Sequence, residues 1–236
     1  WRLYARTDRY FLKQYDADTN TNVTILLDVS ASMDYGSDAV TKLTYAKALA
    51  ACLAYLASRQ RDRIGLTTCD HEVVTRIPPS AKHLDLVLHA LDRSQATRPG
   101  AIARVLTALQ DLGRRRGLVV LISDAYEAPD ALAAAARPFC AQGHDLVMFH
   151  VLDPQELDFA FDDATVFEDL ESGDRQPVHS DAAREEYRQR IRAHITDLSQ
   201  RLRGMGAEYV QVTTTQPLDA ALAQYLGSRA ALARTR

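Results

Sequence analysis

Three oxygen-bearing residues stand at alternate positions behind an apolar run: Asp28, Ser30 and Ser32, in the order Asp-Val-Ser-Ala-Ser after Val23 to Leu27. A second apolar run, Leu118 to Ile122, ends in Ser123 and Asp124. Such a set suits a hard divalent cation. Mg²⁺ takes oxygen ligands at about 2.0–2.1 Å in octahedral geometry and keeps several waters where few carboxylates are offered; Mn²⁺ and Ca²⁺ share the preference for oxygen. If the loop curls, Ser30 and Ser32 can turn their hydroxyls to one point, with Asp28 beneath it. Neutral hydroxyls would leave the ion much of its charge, so it could take an acidic side chain from another protein as a further ligand. The plainer reading makes Asp28 a strand-end carboxylate that caps its own loop, and the two serines ordinary turn residues.

Bringing these groups together requires two strand ends side by side. Val23–Asp28 reads as a strand buried on both faces, because it is β-branched and leucine-rich without polar alternation. A helix is predicted from Lys42 to Arg59, with Leu43, Ala46, Ala50, Leu53 and Ala57 on one stripe. Arg63–Cys69 and Val73–Ile77 read as an edge hairpin closed by Pro78-Pro79. Ser80 can cap a helix through Leu91, and a further helix runs from Ala101 to Arg115 into the strand Leu118–Ile122. The alternation continues with a helix after Pro129, a strand at Asp145–Val151, an irregular acidic segment, a helix from Ala182 to Leu202, a strand at Tyr209–Thr213 and a helix from Pro217. The pattern predicts an α/β fold: a doubly wound, mostly parallel sheet with one antiparallel edge strand and helices on both faces. In the common strand order 3-2-1-4-5-6, the first and fourth strands are neighbours at the switch point, where ligands bind beyond the carboxyl ends. Two carboxylates and two hydroxyls would then converge.

Composition narrows the classes. At 236 residues, 47% apolar and 25% charged, the chain reads as one globular domain spanning residues 1–236, which excludes disorder and a disulfide-stapled miniprotein. Eight Pro and ten Gly are too few for a long flexible linker. The longest apolar run, Ala48 to Ala57, is about half of the roughly 20 residues a membrane span needs. A net charge of −3 argues against nucleic-acid binding, which demands a basic excess. Cys52, Cys69 and Cys140 lack zinc-site spacing and fit a reducing compartment, so a cytoplasmic protein is expected. Residue 1 is Trp, and residues 1–20 are expected to lead in from an upstream segment; Tyr4, Tyr10, Phe11 and Tyr15 would pack on that segment or on the sheet. An acidic insertion is expected at 153–180. Asp153 to Asp174 holds nine acidic residues and no basic one, before a helix carrying Arg184, Arg188, Arg190, Arg192, Arg201 and Arg203. It reads as a solvated loop, with a docking surface for a cationic partner as the alternative.

An Mg²⁺-dependent hydrolase using the strand-end Asp residues is the competing chemistry. It needs an acid/base partner two residues after the nucleophile, where this chain has Ser30. No Lys adjoins either motif, and no G-x-S-x-G elbow, glycine-rich phosphate loop or H-E-x-x-H set occurs. Catalysis is therefore not expected.

At Asp28, Ser30, Ser32 and Asp124 the chain resembles the von Willebrand factor A fold with its metal-ion-dependent adhesion site, whose pattern is D-x-S-x-S, a distant Thr and a distant Asp after a hydrophobic strand. The whole chain resembles the bacterial family of unknown function number 58, through WRLYARTDRYFLKQY, VTILLDVSASM, KLTYAKALAACLAYLASRQRDRIGL, RRRGLVVLISD, GHDLVMFHVLDPQEL and PLDAALAQYLGSR. The resemblance implies a metal-dependent protein-binding module, not itself an enzyme, that works as an adaptor with a MoxR-type AAA+ ATPase in protein remodelling or maturation. It implies Mg²⁺ held by Asp28, Ser30, Ser32, Thr97 and Asp124, with a partner's Glu or Asp completing the shell. The Thr departs from the family pattern. Relatives carry a G-x-T-D-L segment whose Thr falls at Gly100, and Thr97 lies three residues early. Either the loop through Pro99 brings Thr97 in, or one ligand is lost and the chain binds metal weakly or not at all, which favours the alternative of a structural domain with a degenerate site.

Overall fold

The computed structural model describes residues 20–110, 116–159, 165–168, 175–178 and 181–233. Strands β1 (Asn22–Asp28), β2 (Arg63–Cys69), β3 (Val73–Ser80), β4 (Gly117–Ser123), β5 (Asp145–Leu152) and β8 (Glu208–Thr213) form one sheet in the order β3-β2-β1-β4-β5-β8. Every neighbouring pair of this sheet is parallel except β2–β3, so its antiparallel strand β3 lies at an edge, as expected. Strands β6 (Thr165–Glu168) and β7 (Arg175–Val178) pair separately as an antiparallel ribbon.

Alternation of side chains along each central strand divides the core into two. Ile25 and Leu27 of β1, Val120 and Ile122 of β4, and Val147 and Phe149 of β5 face one side. There they pack with α1 (Lys42–Arg59), α2 (Leu84–Arg93) and α7 (Leu218–Ala233). Leu26, Val119, Leu121, Leu146 and Met148 face the other, against α3 (Ile102–Ala108), α4 (Pro129–Ala141) and α6 (Asp181–Gly204). Burial on both faces is why these strands read as unbroken apolar runs. The predicted stripe of α1 is buried throughout. Thr41 starts that helix, its Oγ1 accepting a hydrogen bond from Thr44 N at 3.2 Å.

Four boundaries differ from expectation. β3 continues through Pro78-Pro79 to Ser80, which an edge strand tolerates because proline's missing N–H need not face a partner. Ser80 consequently does not cap a helix: α2 begins at Leu84 behind His83, and Ser80 Oγ accepts from Lys82 N at 3.3 Å. Helix α3 is Ile102–Ala108, shorter than the predicted 101–115, of which 111–115 lie outside the described residues. The acidic segment is not irregular throughout. It opens with the short helix α5 (Pro154–Asp158) and contains β6. Residues 1–19, with Tyr4, Tyr10, Phe11 and Tyr15, lie outside the described residues, as do most of the acidic positions between 160 and 174. Among the described residues, no helix is long and apolar enough to cross a membrane.

Candidate functional site

β1 and β4 are hydrogen-bonded neighbours in parallel register, with Leu27 opposite Ile122, so Asp28 and Ser123 emerge together at the centre of the sheet. The Ser123 hydroxyl donates to Asp28 Oδ2 at 2.6 Å, and Ser30 N donates to Asp28 Oδ1 at 2.9 Å. Asp28 thus caps its own loop, as the plainer reading had it, and is gripped from β4 as well. A 3₁₀ turn over Ala31–Asp34 curls the chain, with Met33 N and Tyr35 N donating to the carbonyls of Ser30 and Ser32 at 3.0 and 3.2 Å. The fully buried Met33 anchors the turn. The result is the convergence expected from alternate spacing: Ser30 Oγ and Ser32 Oγ lie 3.1 Å apart. Asp28, Ser30 and Asp124 are almost completely buried, and Ser32, at 8% exposure, is the most open of the four.

Charge is short at Asp28. Burial, and next the charge of Asp124, push its carboxyl from 3.8 up to about 7, against the opposing pull of the hydrogen bonds from Ser123 and Ser30. A carboxylate offers about four lone-pair positions, of which the Ser123 hydroxyl, the Ser30 hydroxyl and the Ser30 N–H use three. One position remains for a cation.

Asp124 has a different neighbour. Lys42, the first residue of α1 and completely buried, places Nζ 2.7 Å from Asp124 Oδ2 and 2.7 Å from Glu156 Oε1. Burial alone would lower the pKa of this ammonium, but the charges and hydrogen bonds of Asp124 and Glu156 outweigh it and hold it above the ordinary lysine value. It stays charged. The rings of Tyr126 and Tyr35 lie over Nζ at 4.7 and 5.8 Å from their centroids. Glu156 is fixed in turn by the capping box of α5, where its Oε2 accepts from Asp153 N at 2.9 Å.

The backbone beside Asp124 is held by two imidazoles. Ala125 has φ +48°, a left-handed conformation costly for a residue with a Cβ. His150 Nε2 lies 2.7 Å from the Asp124 carbonyl, and His194 Nε2 lies 2.8 Å from the Ala125 carbonyl. A carbonyl can only accept, so each Nε2 carries its proton. Burial lowers His150 from 6.5 to about 4, leaving the ring neutral, so its Nδ1 accepts from the Tyr209 hydroxyl at 2.6 Å.

Thr97 is exposed on the segment beside this loop. The residue after it, Arg98, bridges to Ser30 and accepts from Ala31 N at 2.7 Å through its carbonyl. Asp28, Ser30, Ser32 and Asp124 come together, whereas Thr97 is brought alongside with its side chain on the surface. Among the described residues, no three His, Cys, Asp or Glu side chains group as metal ligands, so a cation here would depend on the hydroxyls.

Residues 1–197 match the family model described as "Protein of unknown function DUF58". The chain belongs to the DUF58 family. It is 29% identical over 237 aligned residues to uncharacterized proteins of Mycobacterium tuberculosis (Rv1480) and Mycobacterium bovis (Mb1516), covering 97% of this chain and 74% of each. Among solved structures this DUF58 chain is similar to an aerotolerance-related membrane protein of Bacteroides fragilis, at TM-score 0.61 and 17% identity over 85% of this chain and 94% of that one. It is similar to BatB of Bacteroides thetaiotaomicron, at TM-score 0.59 and 16% identity over 89% and 98%. The SpRpn10 VWA domain matches at TM-score 0.50 and 12% identity over 86% and 95%. These likenesses establish the fold as von Willebrand factor A-like.

Reading this DUF58 sequence for ligand spacing missed Lys42, Glu156, His150 and His194. Glu156 left one legible signal, since Asp153-Pro154-Gln155-Glu156 is the pattern of a capping box. The others gave none. Lys42 reads as the exposed first residue of a helix, and its neighbours come from β4 and α5, far away along the chain.

Proposed function

We propose that this domain is a metal-dependent protein-binding module, not itself an enzyme, which acts as an adaptor for a MoxR-type AAA+ ATPase in protein remodelling or maturation. The observation that carries the reading is the pair of hydroxyls of Ser30 and Ser32, 3.1 Å apart on a loop capped by Asp28. The donors fit a hard divalent ion: all are oxygens, Asp28 keeps an acceptor position, and burial beside Asp124 raises its pKa for want of a neighbouring positive charge. Asp28, Ser30 and Ser32 would hold the ion, with Asp124 and Thr97 as further candidates. A bound Mg²⁺ would supply an electrophilic point to which a partner's Glu or Asp adds. Binding rather than catalysis is favoured because position 30 is a serine and the nearby ammonium, Lys42, is already engaged by two carboxylates. Three free cysteines suit the reducing cytoplasm we assign to it.

That same engagement of Asp124 favours a second reading, a structural domain whose site is satisfied internally. Capture of a purified MoxR-type ATPase from the same organism separates the two. The adaptor reading expects capture in Mg²⁺, at least tenfold loss in chelator, and the same loss in the Ser30→Ala/Ser32→Ala variant while unfolding stays cooperative. Capture indifferent to chelator and to both substitutions would refute the metal-dependent reading.

A further inference from the structure

The strand-end acids are not equivalent. Asp28 is held by neutral donors, the Ser30 N–H and the hydroxyls of Ser123 and Ser30. Asp124, by contrast, carries a full ammonium on Oδ2, on a lysine with no exposure to solvent. We infer that Lys42 is a tethered cation that claims Asp124 for the protein itself and thereby sets how tightly the site takes a divalent ion. The inference rests on the reading of Asp28, Ser30 and Ser32 as the ion's seat. It goes further in assigning the control of affinity to a helix residue outside the D-x-S-x-S pattern.

The arrangement is built rather than incidental. Lys42 N donates to the Tyr35 carbonyl at 2.8 Å, which ties the start of α1 to the end of the turn that presents Ser32. Its side chain then runs inward to the two acids, with the aromatic faces of Tyr126 and Tyr35 around the ammonium. Glu156 cannot swing away, because its second oxygen is bonded to Asp153 N and it also takes the Tyr126 hydroxyl. An ammonium fixed in this way occupies one oxygen of Asp124 and repels any second cation nearby. A divalent ion therefore leans on Asp28 and the serines, and it reaches Asp124 only through the remaining oxygen.

Charge bookkeeping supplies a clean test. Asp28, Asp124, Glu156 and Lys42 together carry −2 when fully ionised, and the Lys42→Met/Glu156→Gln double variant also carries −2, leaving no buried carboxylate without its former partner except Asp124. Any change in affinity then reports the tether and not net charge. The experiment is Mn²⁺ binding to the chelator-treated full chain, followed by calorimetry and by loss of the free-ion electron paramagnetic resonance signal. The double variant is expected to bind Mn²⁺ at least tenfold more tightly than the natural chain. Glu156→Gln alone leaves Lys42 undivided on Asp124 but also removes one negative charge, so it is compared with Asp153→Asn, which removes one charge beside it and leaves Lys42 shared between its two acids. Glu156→Gln is expected to bind several-fold more weakly than Asp153→Asn, and this comparison decides the matter if the double variant does not fold. Equal affinity in the natural chain and the double variant, or binding in Glu156→Gln as tight as or tighter than in Asp153→Asn, overturns the tether while leaving the metal reading intact. Binding by the double variant alone supports the tether and overturns the metal-dependent function. Binding by no folded form overturns both.

Discussion

Replacing Asp28 with Asn tests whether the strand-end site is short of positive charge. Asn keeps the shape: its oxygen can still accept from Ser30 N, and the Ser123 hydroxyl can turn to accept from its amide. What it removes is the ionisation. In the folded chain the Asp28 carboxyl titrates near 7, against 3.8 ordinarily, a displacement of about 3 pH units at roughly 1.4 kcal/mol each, or up to roughly 4 kcal/mol. Because the folded-state pKa is raised, the contribution is fully present below 3.8 and is lost as pH climbs through about 7.

His150 works in the opposite direction. Its folded pKa is lowered from 6.5 to about 4, so its contribution is present above 6.5 and is lost as pH falls towards 4. Between those values the two groups oppose each other, and the pH profile of the natural chain alone is uninformative. The difference between the natural chain and Asp28→Asn cancels His150. Urea denaturation in chelator should show the natural chain losing ground to the variant from pH 4 to pH 7 and holding a constant gap above it. Mg²⁺ at pH 8 should restore the natural chain and leave the variant unmoved. Parallel stability curves would refute the reasoning, since Asp28 would then feel neither its burial nor the charge of Asp124.

Two further substitutions test the backbone that frames the site. Ala125→Gly relieves a left-handed residue at a cost in unfolded-chain entropy; the cost of about 1–2 kcal/mol for the former against about 0.5–1 for the latter predicts a melting temperature unchanged or slightly raised. Ala136→Gly, within α4, should instead lose about 1 kcal/mol, and equal losses at both positions would contradict the φ of Ala125. At Gly117 a Cβ would press against the Asn22 carbonyl oxygen, a backbone atom of the adjoining strand that cannot turn aside. Gly117→Ala should therefore cost about 1–3 kcal/mol, read as a melting temperature lower by several degrees, and an unshifted melt would show that β1 and β4 do not approach so closely.

The sequence disclosed the fold because its central strands are buried on both faces, a condition that leaves unbroken apolar runs such as Val23–Leu27 and Leu118–Ile122. Given the strand order, the meeting of Asp28 with Ser123 and Asp124 follows from adjacency of β1 and β4. Edges were harder to read. Pro78 and Pro79 look like a stop, yet at the rim of a sheet they can continue a strand, and only the pairing with β2 distinguishes the two. Lys42 was illegible for another reason. A lysine is ordinarily exposed, and its burial here depends on Asp124 and Glu156, which lie 82 and 114 residues away. No local pattern encodes that meeting.

Those distant contacts also determine how the site can respond to a ligand. The Asp124–Ala125 backbone is fixed by the rings of His150 and His194, while the Asp124 carboxylate is fixed separately by Lys42. Neither anchor reaches the hydroxyls of Ser30 and Ser32, which bond to one another and, from Ser30, to Asp28. An arriving cation must therefore break the hydroxyl bonds of Ser30 to Ser32 and to Asp28, worth about 0.5–1.5 kcal/mol net each, and displace the Asp28 proton where one is held. The rest of the frame is already in place, so little of the binding free energy goes into ordering. The reorganisation falls on the D-x-S-x-S loop and on Asp28, whereas β4, α1 and α5 remain braced by their own lysine. Substitutions at Ser30 or Ser32 should accordingly separate ligand binding from stability, and those at Lys42 should not.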